Sequence, residues 1–255
     1  MILCLDVGNS HIYGGVFSDE QILLRFRLST KASTSDELGI FLTSVLRENS
    51  VDVQQIHQIA LCSVVPNLDY SLRSACVKYF KKEPFVLQAG VKTGLKIQYR
   101  NPLEVGADRI ANAIGASVQF PDKNLIIIDF GTATTFCAVS RTKQYLGGVI
   151  IPGIQLSMEA LQSRTAKLPP VEIIRPKQAL GRSTVESIQA GLYHATLAAT
   201  QAITQRLCQS AFTNESVLII ATGGFAHLFE PEKIFDMIIP DLVLQGLKQA
   251  LENNL

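Results

Sequence analysis

Two stretches of the chain, 123 residues apart, follow one pattern. The first, "ILCLDVGNSHIYGGVF", opens at Ile2, and the second, "LIIIDFGTATTFCAVSRTKQYLGGVII", opens at Leu125. At this constant offset Asp6 falls on Asp129, Gly8 on Gly131, Asn9 on Thr132, Tyr13 on Phe136, Val16 on Val139 and Gln21 on Gln144. Each copy reads as an apolar strand, an Asp-x-Gly-polar turn, a second strand, a short polar turn and a third strand. The first copy continues through "STSDELGIFLTSVLREN", with Leu38, Phe41, Leu42, Val45 and Leu46 on one helical face and Ser35 or Thr34 as its cap. The second continues through "IPGIQLSMEALQSR", again a helix after three strands. One such turn is compatible with an ordinary hairpin. Two in register predict a duplicated α/β architecture of mixed sheets flanked by helices.

The duplication also explains why a buried strand should end on a carboxylate. Ligands in such folds sit near strand ends, in a crevice between halves. Asp6 and Asp129 facing one crevice suit a hydrated magnesium ion, which takes a few carboxylates, waters and phosphate oxygens. The Gly and Ser/Thr positions after each Asp offer backbone N–H and hydroxyl groups to phosphate. A third turn, Thr222-Gly223-Gly224, follows the apolar strand that begins at Val217.

Composition narrows the function classes. The 255 residues are 47% apolar and 18% charged, ample for two modest domains. A net charge of +1 and the lack of a basic patch argue against a nucleic-acid partner. The five cysteines are scattered without metal-ligand spacing and read as buried thiols in a reducing compartment. With no leader-like N-terminus and no long apolar run, the expectation is a soluble cytoplasmic protein without a membrane partner.

The stretch "LKIQYRNPLEVGADRIANAIGA", from Leu95, predicts a helix starting at Glu104 to Gly106, after the Pro102 breaker. Ile110, Ala111, Ile114 and Val118 form its apolar face, and Asp108, Arg109 and Asn112 lie off that stripe. A carboxylate in a first helical turn is either a cap or, beside a phosphate site, an acceptor for a substrate proton. Tyr99 alone reads as a half-buried strand aromatic, and Thr184 as the cap of a helix beginning at Val185. "AGLYHATLAATQAITQRL", from Ala190, has too broad an apolar face for an exposed helix, its cover lying either within the chain or on a second copy.

The paired turns together with "ATGGFA" resemble the acetate/sugar kinase, heat-shock ATPase and actin superfamily. Within it, "LKIQYRNPLEVGADRIANAIGA", "GGVIIPGIQLSMEAL", "TAKLPPVE" and "GRSTVESIQAGLYHA" resemble the motifs of type III pantothenate kinases. The resemblance implies two ribonuclease H-like domains, residues 1–118 and 119–255, with a ligand cleft between them. It implies transfer of the ATP γ-phosphoryl group to pantothenate, giving 4′-phosphopantothenate in the first step of coenzyme A synthesis. By motif, Asp108 is the catalytic base, and Gly106, Ala107, Asp108, Arg109, Tyr99 and Thr184 bind pantothenate. Asp6, Val7, Gly8, Asn9, Ser10, His11, Ile12 and Tyr13 wrap the ATP phosphates, and Thr132 adds a hydroxyl. Asp129 holds a monovalent cation, potassium or ammonium, which leaves magnesium to Asp6 and ATP, and a homodimer is implied.

Three positions depart from the family pattern. Ser10 stands for Thr, Arg182 for Lys, and Cys137 for an Asp after the second turn. A phosphatase on the same fold and an accessory transcription factor are the rival readings. The substrate motif around Tyr99 and Thr184 argues against the first, and the near-neutral charge and intact Asp6, Asp108 and Asp129 against the second.

Overall fold

The computed structural model describes residues 1–255. The chain opens with three antiparallel strands, β1 (Ile2–Val7), β2 (His11–Ser18) and β3 (Gln21–Ser29). Helix α1 (Ser35–Glu48), β4 (Gln58–Ser63), α2 (Pro66–Ala75) and β5 (Phe85–Val86) follow. They complete a sheet of order β3-β2-β1-β4-β5, with β4 parallel to both β1 and β5. After β6 (Lys96–Ile97) and α3 (Ala107–Gln119) the plan repeats with β7 (Asn124–Phe130), β8 (Ala133–Val139) and β9 (Gln144–Pro152). Next come α4 (Ile154–Arg164), α5 (Thr184–Ala211), β10 (Val217–Thr222) and β11 (Met237–Ile238), and α6 (Leu242–Glu252) ends the chain. The second sheet has the order β11-β10-β7-β8-β9-β6. This is the first order with one added edge strand, so the repeat found in sequence is a repeat of topology. Even the register shifts correspond: one lies at Val16/Phe17 in β2 and the other at Ala138/Val139 in β8.

Alternation in β1 sets what each face of the first sheet does. Leu3, Leu5 and Val7 pack into one cluster with Leu38, Leu42 and Leu46 of α1 and Leu68 and Leu72 of α2. Cys4 and Asp6 point to the other face. Thr34 caps α1 in a full capping box, its hydroxyl accepting from the Glu37 N–H while Glu37 accepts from the Thr34 N–H at 2.7 Å. In the second sheet Ile126, Ile128 and Phe130 of β7 join Ile154 and Met158 of α4 and Ile188, Leu192 and Tyr193 of α5. The first turns of α5 are thus covered within its own unit, while Leu197, Ile203 and Leu207 further along are only partly buried.

The chain forms two compact units: residues 1–95, 100–115 and 242–255, and residues 96–99 with 116–241. Neither is contiguous. The terminal helix, which the sequence reading places with residues 119–255, belongs to the first unit and packs against β1 and β4. Its leucines Leu242, Leu244 and Leu247 are fully buried there.

Helix α3 differs from its expected form in two ways. It starts at Ala107, because Pro102–Glu104 forms a separate 3₁₀ turn. Its polar side is not solvated, since Arg109 and Asn112 are 6% and 2% exposed while Val118, expected in the core, is 48% exposed. Helix α6 lies against α3 at Ala111 and Gly115. A methyl on Gly115 would come within 2.6 Å of the Leu242 carbonyl oxygen, and one on Gly246 would overlap the Ala111 carbonyl.

Candidate active site

The first Asp-x-Gly turn is tied at both ends. The Gly8 N–H donates to the His11 carbonyl at 3.0 Å, closing the hairpin. Thr30, just beyond β3, donates its hydroxyl to the Gly8 carbonyl at 2.6 Å and its N–H to the Ser10 carbonyl at 2.9 Å. Val7 and Ile12 send their side chains into the core. What remains exposed is the tip, Asn9, Ser10 and His11. The expectation that the Gly8 N–H is available to phosphate is thus corrected: it is spent on the turn, and the tip beyond it is what can meet an anion. Tyr13 is half-buried beneath the Arg27 guanidinium, 4.8 Å from its ring centre.

Asp6 lies where β1 ends, half-buried, on the face that carries Cys4. Its neighbour in β4 is Cys62, whose thiol donates to Asp6 Oδ1 at 3.1 Å. Burial pushes the Cys62 thiol well above its ordinary pKa, and the Asp6 and Asp108 carboxylates push it further, so it remains a donor. A carboxylate beside an exposed polar turn fits magnesium already carrying water and phosphate oxygens.

Asp108 lies one residue into α3, after Ala107. The residue before the helix is Gly106, whose carbonyl accepts from the Ile110 N–H at 3.1 Å, so Asp108 is not the cap. Its Oδ1 accepts from the Arg109 N–H at 2.8 Å and curls back over Gly106, where an added methyl would lie 2.5 Å from it. A side chain at 106 would displace the carboxylate from this position. Burial raises the Asp108 pKa, against the opposing pull of the Arg109 N–H and guanidinium. A carboxylate with raised proton affinity suits a general base.

The second unit builds the matching turn from different groups. Asp129 ends β7, and Thr132 is exposed at the tip. Gly153, the N-cap of α4, donates its N–H to the Thr132 carbonyl at 3.1 Å. At the repeat offset Gly153 falls on Thr30, so equivalent positions secure both turns, with the carbonyl they reach shifted by one residue. Here the tie approaches so closely that a methyl on Gly153 would overlap the Gly131 and Thr132 carbonyl oxygens. Gly223, with φ of +88°, packs on Asp129, and a side chain there would overlap the Asp129 carboxylate. The third glycine turn is therefore in contact with the second carboxylate, a juxtaposition that no spacing in the sequence announces.

Tyr99 extends the edge strand β6 and is half-buried, its ring 6.4 Å from that of Tyr145. It lies over Gly147, whose φ of +129° is a conformation that side chains rarely adopt. Cys137 is buried, and its sulfur accepts from the Tyr145 hydroxyl at 3.3 Å. The departure from the family's Asp is thus absorbed in a thiol–tyrosine contact. Thr184 is the first residue of α5 and exposed. Ser183, not Thr184, caps that helix by accepting from the Glu186 N–H at 3.2 Å. Thr184 lines a depression of about 690 Å³ with Arg182, Ser183, Ser187, Leu161 and Leu168. Thr30 and Cys62 were absent from the sequence expectations. Thr30 could have been found from the repeat, as the partner of Gly153, but nothing in the sequence links Cys62 to Asp6.

Over residues 2–206 the chain matches the family of type III pantothenate kinases. A type III pantothenate kinase of Legionella pneumophila (strain Corby) is 63% identical over 254 residues, covering 100% of this chain and 99% of that protein. Type III pantothenate kinase 1 of Francisella tularensis subsp. holarctica (strain OSU18) is 51% identical over 255 residues, covering 100% of both. Among solved structures, a ROK family glucokinase from Streptomyces griseus superposes with a TM-score of 0.54 at 14% identity, covering 98% of this chain and 99% of that one. At that identity the likeness speaks for the fold alone.

Proposed function

The chain belongs to the type III pantothenate kinase family, and on that premise we propose how its own residues phosphorylate pantothenate with ATP, the reaction that opens coenzyme A synthesis. Phosphoryl transfer needs positioned reactants and stabilised charge more than covalent help from the protein. Asp108 takes the proton from the pantothenate hydroxyl as that oxygen attacks the γ-phosphorus of ATP, and ADP leaves in line. The single observation that most favours this role is the place of Asp108, in the first turn of α3 without being the cap, with Oδ1 held by the Arg109 N–H and burial raising its proton affinity. Gly106, Ala107 and Arg109 hold the substrate around it, with Tyr99 and Thr184 as further contacts.

The tip Asn9–His11, with Asp6 and Tyr13, receives the ATP phosphates of the first turn, and Thr132 those of the second. ATP brings a divalent cation, and Asp6 is the residue to hold magnesium, which when bound neutralises charge on the transferred group. Asp129 is the residue to hold potassium or ammonium. Its place against Gly131 and Gly223, beside the exposed Thr132, supports this, since a half-buried carboxylate at a phosphate turn is a ready cation ligand. We also propose a homodimer, for which the exposed apolar Leu180 and Val185 flanking Thr184 give some support.

One titration tests the scheme. Without pantothenate, ATP hydrolysis is expected to be slow, because water lacks the binding energy that orders the site. Pantothenate should then stimulate ADP release, with one phosphopantothenate formed per ADP by mass spectrometry, and faster in potassium than in sodium at fixed ionic strength. No stimulation by pantothenate would remove the assigned substrate. Equal rates in the two salts would remove the monovalent cation from Asp129.

A further inference from the structure

We propose that Cys62 is a positioning residue for the kinase reaction, its thiol holding the Asp6 carboxylate in the orientation that receives magnesium-bound phosphate. The inference rests on the assignment of Asp6 made above. Asp6 and Cys62 are register partners on the parallel strands β1 and β4, and the thiol sulfur lies 3.1 Å from Asp6 Oδ1. A carboxylate bonded through one oxygen cannot rotate its plane without breaking that bond. Cys62 is fully buried, so water does not replace the donor. A neutral thiol is a weak donor, but a carboxylate acceptor strengthens the bond.

The second unit carries an independent parallel. In its sheet the register partner of Asp129 is Thr222, at the end of the parallel strand β10, and it too is buried, at 2% exposure. Both strand-end carboxylates thus have a buried S–H or O–H side chain at the adjoining strand position. Ordinary core residues at that position, such as the leucines and isoleucines elsewhere in β4 and β10, would leave the carboxylates without this neighbour. The thiol touches neither substrate by this reading and acts only through Asp6.

The test compares Cys62→Ala with Cys62→Ser in the full-length enzyme. Losing a weak donor to a charged acceptor should raise the half-saturating concentrations of ATP and magnesium about three- to tenfold in Cys62→Ala. The KM for pantothenate should stay at the wild-type value, which general loosening of the fold would not leave untouched. Cys62→Ser restores a donor and should recover at least half of the loss on a logarithmic scale. Equilibrium binding of magnesium–ATP to Asp6→Ala and to Asp6→Ala/Cys62→Ala should be equal, since the thiol then has nothing to position. The inference is overturned if Cys62→Ala saturates like wild type, if the serine variant behaves as the alanine variant, or if pantothenate KM rises in parallel. Should Asp6→Ala itself bind magnesium–ATP like wild type, the assignment of Asp6 fails first, and the two failures are told apart.

Discussion

Asp108 shows how one residue can be wrong for stability and right for chemistry. A cap would gain from its charge, whereas this carboxylate is held above its ordinary pKa because burial disfavours the ionised form. Asp108→Asn keeps the shape and the bond from the Arg109 N–H, yet it cannot accept a proton. Turnover should fall by about two to four orders of magnitude, with ATP affinity nearly unchanged. Retention of more than about a tenth of wild-type turnover would return Asp108 to a structural role. The acid limb of kcat/KM should lie above the ordinary aspartate range in the wild type and vanish in the variant's residual activity. Stability should move the other way. A carboxyl whose folded-state pKa is raised costs stability above that pKa, and the cost disappears as pH falls through the unfolded-state value. Asp108→Asn should therefore melt higher than wild type at neutral pH, and the difference should close as pH falls to about 4.

At the scale of elements, each Asp-x-Gly turn depends on the segment that follows its third strand. The first is secured by Thr30 through a side chain and a backbone bond, the second by Gly153 at the start of α4. Helix N-termini carry unpaired N–H groups and favour anions, so placing α4 against the Thr132 turn adds to that turn's suitability for phosphate. The contact tolerates no side chain. Gly153→Ala would force apart backbone atoms of two elements, an overpacking that costs about 1–3 kcal/mol. Its melting temperature should drop and its ATP KM rise. A variant with unchanged stability and unchanged ATP KM would show the contact to be slack.

At the scale of the molecule, the last fourteen residues close a unit whose first strand is the start of the chain. Leu242, Leu244 and Leu247 are fully buried and Leu251 is 5% exposed. Lys248, nearly buried, lies 2.8 Å from both Glu20 of the β2–β3 turn and Glu252. At about 1.5–3 kcal/mol per buried leucine, four of them amount to about 6–12 kcal/mol, comparable to the whole stability of an ordinary domain. Deleting residues 242–255 should abolish the cooperative urea unfolding transition. A truncated chain that still unfolds in one sharp transition would mean that α6 is an accessory.

The chain's own order of residues determined the duplicated sheets, the two carboxylate turns and the family, because those are local patterns repeated at a fixed offset or carried in short motifs. The capping of α1, the strand at Val217 and the helix after the second turn were legible for the same reason. Non-local packing decided the rest. The burial of Arg109 and Asn112, which lie off the apolar stripe of α3, comes from tertiary packing that no helical periodicity records. Cys62 and Thr222 become equivalent only through strand register, since the insertions between strands differ in the two halves and no single offset aligns them. The raised proton affinity of Asp108 is likewise a property of its enclosure. Residue type supplied a carboxylate, and only the tertiary structure raised its proton affinity, because the energy of a charge is set by what surrounds it.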